Sequence, residues 1–298
     1  MADILHAHPF ERPEYVREPE AADPGWTSPR PRGLLTRITD IPAVRQASLL
    51  VLLGVAWQVY AAMLDNTLML PTAGQALEAF ARGIIDGPLL ERAWTSVRVL
   101  LGGYVVGFAL ALVLTGLAVA TRTGSDLLTL LTAMFNPLPA IALLPLALLW
   151  FGLGTGSLTF VLVHAVLWPI ALNTHAGFLG VSPTLRMAGL SFGLRGPGLV
   201  FRLLIPAAFP AILTGLKVGW AFAWRTLIAA ELVFGVSAGS GGLGWYIFEN
   251  RNQLETANVF AGLLAVIVIG LMVEGVVFRS IERLTVRRWG MQQQWRAE

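Results

Sequence analysis

The chain has 298 residues, of which 55% are hydrophobic and only 13% are charged, and its mean hydropathy is +0.67. Soluble domains contain roughly 25% charged residues, so this composition excludes an ordinary soluble enzyme. We predict an all-α integral membrane protein with six transmembrane helices, each of about 20 residues.

The charged residues and the absence of cysteine exclude further classes of protein. The formal net charge is +3, but the basic residues are scattered between apolar segments, which is not the pattern of a nucleic-acid-binding protein. The chain contains no cysteine, which excludes disulfides, thiolate catalysis and cysteine-ligated metals.

Three regions follow one another along the chain. Residues 1–45 are polar and rich in proline, as is typical of a disordered tail; residues 46–285 carry the apolar segments; residues 286–298 form a second polar tail. After the first apolar segment, PTAGQALEAFARGIIDGPLLERAW has the spacing of a helix lying at the membrane surface. The predicted spans cover approximately residues 46–64, 95–120, 126–150, 157–178, 207–235 and 257–278.

The orientation of the spans follows from the arginines near their ends. With six spans, most of these arginines lie on the same side of the membrane as the N-terminus. Because cytoplasmic loops carry an excess of basic residues, we predict that both termini and the loop at residues 179–206 are cytoplasmic.

Small residues and prolines mark the interiors of several spans. Glycines at helical spacing predict close helix–helix packing, and they are Gly102, Gly103, Gly107, Gly215 and Gly219. Asn136 with Pro137, Pro139 and Pro145 is expected to break the hydrogen-bond ladder of the third span, and Pro169 that of the fourth. Such kinks suit gating helices but are also common in inert membrane helices.

The loop at residues 179–206 has the signals of two short helices. Ser182 followed by Pro183 predicts a helix start, Gly193 predicts a left-handed helix end, and a second helix is expected at about 197–204. A helix displayed along the cytoplasmic face is a natural docking surface for a soluble partner. An inert helix at the membrane surface is the alternative.

The fifth span contains ionisable groups at membrane depth, which are costly unless they face protein or water. Lys217, Trp224 and Glu231 recur every seven residues on one face, with Trp220 beside them and Arg225 offset by about 80°. This face is expected to line a pathway or to contact a neighbouring helix. The two cations either attract an anionic solute or pair with Glu231, Glu274 or backbone carbonyls, and cation–π contacts with a tryptophan are also possible.

Several kinds of active site are excluded. His164 and His175 lie about 16 Å apart along one helix, too far to ligate a single metal ion, so no metal site is predicted. Lys217 is the single lysine, which excludes the phosphate-binding loop G-x-x-x-x-G-K-[ST]. Any ATP used must therefore be hydrolysed by another subunit. No set of polar groups suggests a membrane enzyme.

The loop carries a string of residues that resembles a known family. Ala188, Gly189, Phe192 and Gly193, followed by PAAFP from Pro206 and TGL from Thr214, are similar to the EAA coupling loop of binding-protein-dependent ABC transporter permeases. LPTAGQALEAF, SVRVLLGGYVVG, NPLPAIALLPLALLWFGLG, AAEL and GLGWYI resemble the branch that imports nitrate, taurine and aliphatic sulfonates. Together they extend over about residues 47–285.

This resemblance implies a type I importer-like permease core in the bacterial inner membrane, with no cofactor of its own. The implied partners are two cytoplasmic ATPase subunits that bind ATP and Mg²⁺, a second permease copy or a paralogue, and an extracytoplasmic substrate-binding protein. The implied ATPase-coupling residues are Arg186, Met187, Ala188, Gly189, Leu190, Phe192, Gly193 and Arg195. Met187 stands where the family has an acidic residue, and Gly189 stands where it has its second alanine. Coupling is therefore expected to rest on apolar packing of Met187, Leu190 and Phe192 and on Arg186 or Arg195.

The predicted function is transport of a small solute by alternating access. A sulfonate, taurine or nitrate is favoured by the cations of the fifth span, while a neutral or cationic heterocycle remains open. The alternative is an ion-gradient-coupled secondary transporter that uses Glu231 or Glu274.

Overall fold

The computed structural model describes residues 42–234 and 241–289. The predicted N-terminal tail up to residue 41 and residues 290–298 of the C-terminal tail lie outside the described residues. The chain divides after Gly54 into two units. In the first, residues 42–54 are helical and their apolar side chains are largely exposed. The second, from Val55 onward, contains the core and the candidate site described below.

The described segments are helical, as predicted. Their order is α1 (Pro42–Leu64), α2 (Ala73–Ile85), α3 (Leu89–Ala120), α4 (Arg122–Phe135), a 3₁₀ turn (Ala140–Leu143), α5 (Leu144–Phe151), α6 (Thr155–Leu179), α7 (Pro183–Ser191), α8 (Pro197–Leu199), a π turn (Val200–Leu204), α9 (Ile205–Phe234), α10 (Leu243–Asn252), α11 (Thr256–Met272), a π turn (Val273–Phe278), α12 (Arg279–Glu282) and a π turn (Arg283–Arg287).

Five helical segments within the described residues are long and apolar enough to cross a membrane, and they contain α1, α3, α6, α9 and α11. The sixth candidate is the predicted span at residues 126–150, in which a break was expected from Asn136 and the prolines. The structure divides it into α4 and the segment Ala140–Phe151, whose axes differ by 86°. The pair is therefore a broken helix rather than a single rod.

Helix α6 lies at the centre of the bundle. Of its most apolar stretch 61% is buried, against 22% for the corresponding stretches of α3 and α9. It is apolar around its whole circumference, as expected for a helix surrounded by other helices. Leu162, Val166 and Ile170 of α6 are almost completely buried and join the main core with Leu100 and Leu227.

Glycines allow α3 and α9 to approach α6 closely. A Cβ atom on Gly103 would lie 2.5 Å from the Leu162 Cβ, and one on Gly107 would lie 2.8 Å from the Val166 Cβ. On α9, Gly215 and Gly219 pack in the same way against α6. The predicted close packing is confirmed for these four positions and is wrong for Gly102, where a Cβ atom would have no neighbouring atom within 4 Å.

Candidate functional site

One cavity of about 410 Å³ brings together several of the residues singled out in the sequence. The break after α4 contributes Asn136, Pro137 and Pro139, the middle of α6 contributes Pro169, and α9 contributes Arg225. These residues are up to 89 positions apart in sequence, and they meet because α6 packs against α9 and the 3₁₀ turn that follows α4 contacts both helices. The remaining predicted pathway residues lie elsewhere.

The wall formed by the α4 break follows from its prolines. Helix α4 ends at Phe135, and the Asn136 N–H closes its last turn by donating to the Thr132 carbonyl. Pro137 and Pro139 have no N–H group with which to continue the ladder. The predicted break is confirmed at these residues, but it does not involve Pro145, which lies in the first turn of α5 where a missing N–H has no cost.

Pro169 lies in the wall contributed by α6. It is buried in the interior of the helix, which continues without interruption from Thr155 to Leu179. The Asn173 side chain donates to the Pro169 carbonyl at 2.8 Å. Pro169 therefore removes one ladder hydrogen bond next to the cavity without dividing the helix.

Arg225 places a positive charge at the cavity. Its side chain is exposed, its Nε donates to the Ala221 carbonyl at 3.1 Å, and its guanidinium carbon lies 5.0 Å from the centre of the Phe222 ring. The expected cation–π contact is therefore made with phenylalanine rather than tryptophan. No salt bridge to Arg225 occurs within residues 42–234 and 241–289. A cation at membrane depth that is not neutralised by its own chain requires a polar neighbour or water.

Lys217 lies away from the cavity, in a salt bridge. Its Nζ lies 3.0 Å from the Glu282 Oε2, and both side chains are mostly buried. Glu282 also faces the Arg287 Nε at 3.8 Å. The structure therefore corrects the predicted partners Glu231 and Glu274: the lysine joins α9 to the C-terminal helical segment.

The two tryptophans on the predicted face of the fifth span, Trp220 and Trp224, contact neighbouring helices. The rings of Trp220 and Trp224 are nearly parallel, with centroids 6.4 Å apart. The Trp224 indole N–H donates to the Val266 carbonyl of α11 at 3.3 Å, and Tyr104 of α3 meets the Trp220 ring edge-on at 5.9 Å. Of the two expectations for this face, the structure shows contact with other helices.

Glu231 is buried and forms a cap rather than a cavity wall. Only 3% of the residue is exposed. The Ser96 hydroxyl lies 2.9 and 3.0 Å from its two carboxylate oxygens, and the Gly244 N–H donates to it at 2.8 Å. Ser96 in turn accepts the Leu243 N–H at 2.8 Å. The carboxylate thus satisfies the N-terminus of α10, where a negative charge is favourable, and joins α3, α9 and α10.

Residues 183–204, which we call the coupling segment, begin with helix α7, and both ends of this helix are formed as predicted. The Ser182 hydroxyl accepts the Leu185 N–H, confirming it as the N-cap of α7. At the other end Gly193 has φ +79°, its N–H donates to the Leu190 carbonyl, and the Leu194 N–H donates to the Gly189 carbonyl. These two bonds form a Schellman motif, so the predicted left-handed end is confirmed.

The coupling segment exposes an apolar surface. Met187, Leu190 and Phe192 are exposed, Phe192 by 86%. Ala188 and Arg195 are also exposed. Arg186 is different, since it turns back and donates to the Phe178 carbonyl at the end of α6. Of the two arginines considered for coupling, Arg195 is therefore the accessible one.

Gly189 explains one departure of the coupling segment from its family pattern. It is buried, and a Cβ atom there would collide with the Leu203 Cδ1. The π turn that holds Leu203 therefore packs directly on α7. Here glycine permits a closer contact than the alanine of the family pattern.

Comparison with known proteins identifies the family of the chain. Residues 94–290 match the family described as the binding-protein-dependent transport system inner membrane component. The chain belongs to this family. The permease is 31% identical over 247 residues to a putative ABC transporter permease protein of Methanocaldococcus jannaschii, covering 82% of this chain and 91% of the relative.

Two further relatives have more specific names. The permease is 31% identical over 249 residues to the taurine transport system permease protein TauC of Escherichia coli, covering 79% of this chain and 86% of the relative. It is 28% identical over 256 residues to the nitrate import permease protein NrtB of Synechocystis, covering 82% and 90%. These matches favour a permease subunit of an ABC importer over the ion-gradient-coupled transporter that was considered from Glu231 and Glu274.

The positions of three residues of the permease, Trp168, His164 and Ser96, were not predicted from the sequence. Trp168 and His164 line the cavity, although His164 had been considered only as a metal ligand. Their spacing of four residues, with Trp168 directly before Pro169, indicates a shared helix face. Ser96 was missed because nothing in its local sequence shows that it meets Glu231, 135 residues away.

Proposed function

We propose that this permease forms half of the translocation pathway of an ATP-driven importer for a small anion, and that the pathway passes along the cavity that holds Arg225. The observation that carries the proposal is the position of Arg225. It is exposed in the cavity beside the break between α4 and α5, and it has no carboxylate partner in the described part of the chain. A pathway for anions supplies the polar neighbour that such a cation needs.

The relatives support this class of solute. Those with specific names are named for taurine, aliphatic sulfonates or nitrate. Taurine and the aliphatic sulfonates carry a sulfonate group, and nitrate is itself an oxyanion. An arginine side chain suits oxyanions because its planar guanidinium presents several N–H donors at once.

We further propose that two ATPase subunits dock on the coupling segment at the cytoplasmic face, with both termini on the same side. The exposed apolar side chains Met187, Leu190 and Phe192 support docking at this surface. The chain has a single lysine, in a partly buried salt bridge, so hydrolysis of ATP with Mg²⁺ belongs to the partners. A second permease copy or a paralogue supplies the other half of the pathway.

The opposite ends of the helices offer a surface for the substrate-binding protein. A groove of about 740 Å³ lies between α2, residues 67–71 and residues 254–258. By chain direction it lies at the ends of α3 and α11 that are remote from the coupling segment. Its polar lining, which includes Glu78, Asp86 and Glu255, supports contact with a soluble protein.

The experiment is ATP-driven uptake by proteoliposomes that contain the permease with its ATPase, supplied with the binding protein and with taurine, methanesulfonate or nitrate. We expect Arg225→Gln to lower uptake about tenfold or more, as for loss of a charged hydrogen bond, while the ATPase subunit stays bound. Lys217→Gln is the matched control: because Lys217 forms a partly buried salt bridge, we expect it to weaken assembly first. Full uptake by assembled Arg225→Gln complexes would contradict the proposal.

A further inference from the structure

Two residues that line the cavity carry buried polar atoms whose hydrogen bonds are not satisfied by the protein. The indole nitrogen of Trp168 and both ring nitrogens of His164 are buried, and none has a hydrogen-bond partner among the described residues. Trp168 is only 7% exposed. The Phe135 backbone lies near the His164 ring, but the contact between them does not have the geometry of a hydrogen bond. Buried polar groups without partners are rare, because each costs about 1–3 kcal/mol.

The two rings are held in position by their neighbours. His164 and Trp168 are one turn apart on α6, and their rings meet edge to face at 6.1 Å. Phe135, the last residue of α4, stacks on Trp168 with an angle of 12° and a centroid distance of 5.5 Å. The break in the third span thus fixes the indole, and its N–H does not have to be ordered when a ligand arrives.

The donors and the cation belong to one cavity. Trp168, His164 and Arg225 all line it. An indole offers one N–H donor, a neutral imidazole offers one, and a guanidinium offers five, of which one is used by the Ala221 carbonyl. Several N–H donors with a positive charge, and no carboxylate among the described lining residues, favour an anion and disfavour a cation.

The rest of the cavity is mainly apolar, with Asn136 and Thr226 as its other polar side chains. Ile141, Phe222 and Ala229 are among its lining residues, and its volume of about 410 Å³ lies in the range typical of small-molecule sites. Such a lining suits the hydrocarbon part of a ligand, whereas Trp168, His164 and Arg225 suit its charged group.

We propose that Trp168, His164 and Arg225 bind the sulfonate group of a small organosulfonate, whose hydrocarbon part contacts the apolar lining of the cavity. This inference rests on the proposed function and identifies the solute-binding residues within the pathway. It assigns to Trp168 and His164 hydrogen bonds that the protein itself leaves unmade.

The test uses the absence of cysteine from the chain. Ala229→Cys places a single thiol in the cavity lining, and the permease–ATPase complex in nanodiscs is labelled with uncharged N-ethylmaleimide. We expect methanesulfonate to slow labelling, and dimethyl sulfone, a neutral molecule of the same shape, to have much less effect. Equal protection by the two compounds would overturn the proposal, because it would show a site that does not select charge.

Variants of the donors are compared in the same background. Trp168→Phe removes the N–H but keeps an aromatic ring, and His164→Phe removes both ring nitrogens. We expect each to raise the methanesulfonate concentration for half-protection about tenfold or more, with His164→Gln restoring part of the affinity. Trp150→Phe is the matched control, since Trp150 is exposed outside the cavity, and we expect it to behave as the parent.

The outcomes separate this inference from the proposed function. Retention of the ATPase subunit and basal ATP hydrolysis verify that each variant assembles, and if Trp168→Phe does not assemble, the comparison of His164→Phe with His164→Gln decides. Wild-type uptake of methanesulfonate together with unchanged protection in the donor variants would overturn the site and leave the proposed function standing. Absence of uptake of every anion tested would overturn the proposed function itself.

Discussion

Two ionisable residues of α9 show how environment decides the role of a charged side chain. Arg225 is exposed at the cavity, and Glu231, six residues later, is almost completely buried. The carboxylate has partners on both oxygens, whereas the guanidinium donates to one carbonyl of its own helix. A fully satisfied buried group supports the fold, and a cation with free donors is available to a ligand.

Glu231 should matter for stability rather than for ion coupling. Glu231→Leu leaves the Gly244 N–H without its acceptor and Ser96 without its carboxylate, so we expect a loss of about 1–3 kcal/mol for each group left unpaired. Glu231→Gln keeps one acceptor oxygen and should retain ATP-driven uptake. Thermal unfolding of the purified complex and uptake by proteoliposomes measure the two effects. Normal assembly of Glu231→Gln with no uptake would instead show that the negative charge of Glu231 takes part in transport.

Gly193 is needed for its backbone conformation rather than for space. Its φ is +79°, and a Cβ atom added there would have no other atom within 4 Å. A β-branched residue in the left-handed region is strained by about 1–2 kcal/mol, whereas asparagine tolerates it better. We expect Gly193→Val to reduce the ATPase activity stimulated by the substrate-loaded binding protein and Gly193→Asn to preserve it. Equal activity in the two variants would show that the helix end is not needed for coupling.

Predictions at the scale of single residues succeeded where the cause is local. Ser182 and Gly193 act within one helical turn, so their roles were evident from the sequence. The partner of Lys217 was not, because Glu282 lies 65 residues away and its approach depends on how α9 and the C-terminal segment pack. For the same reason, the unpaired donors of the cavity were not predicted: Phe135 and Trp168 meet only in the folded bundle.

At the scale of helices, contact across the bundle distinguishes neighbouring glycines. Gly103 faces α6, and Gly102 faces open space, a difference of one residue or about 100° that the sequence alone does not assign. We expect Gly103→Ala to destabilise the complex by about 1–3 kcal/mol through overpacking and Gly102→Ala to have little effect. Thermal unfolding of the two variants in the same detergent provides the comparison, and equal stabilities would contradict this packing.

The broken helix at α4 and α5 is the element that the sequence described least well. Its prolines predicted an interruption of the helix, but the size of the bend, 86°, depends on how both halves pack against α6. Length and composition allow the pair to be one span, and six spans agree with the arginine distribution. The bend and the position of Trp168 together place the proposed donors beside this break.

If the pair crosses the membrane, its two ends lie on opposite sides. Because the chain has no cysteine, single thiols at Arg122→Cys and Leu153→Cys report each end without background. We expect a membrane-impermeant maleimide added to intact cells whose outer membrane is permeabilised to label Leu153→Cys and not Arg122→Cys. Labelling of both positions from one side would show a re-entrant segment and five spans, with the termini on opposite sides.

At the scale of the whole molecule, the two ends of the bundle differ in what they expose. One end carries a groove lined by polar and acidic side chains, and the other carries the coupling segment with its apolar surface. Helix α9 begins at the coupling segment and carries Arg225 further along. A rigid displacement of the coupling segment would therefore reach the cavity through a single helix, as alternating access requires when a partner binds two states differently.

The apolar surface of the coupling segment should carry much of the affinity for the ATPase. Phe192 is 86% exposed at the end of α7, and large apolar side chains dominate protein–protein contacts when a partner buries them. We expect Phe192→Ala to cost about 2 kcal/mol or more of binding and to lower the amount of ATPase that co-purifies in mild detergent. Leu153→Ala is the control, because Leu153 is also exposed, at 76%, but lies at the far end of α6. Equal loss of ATPase from the two variants would mean that general destabilisation, not the coupling surface, causes dissociation.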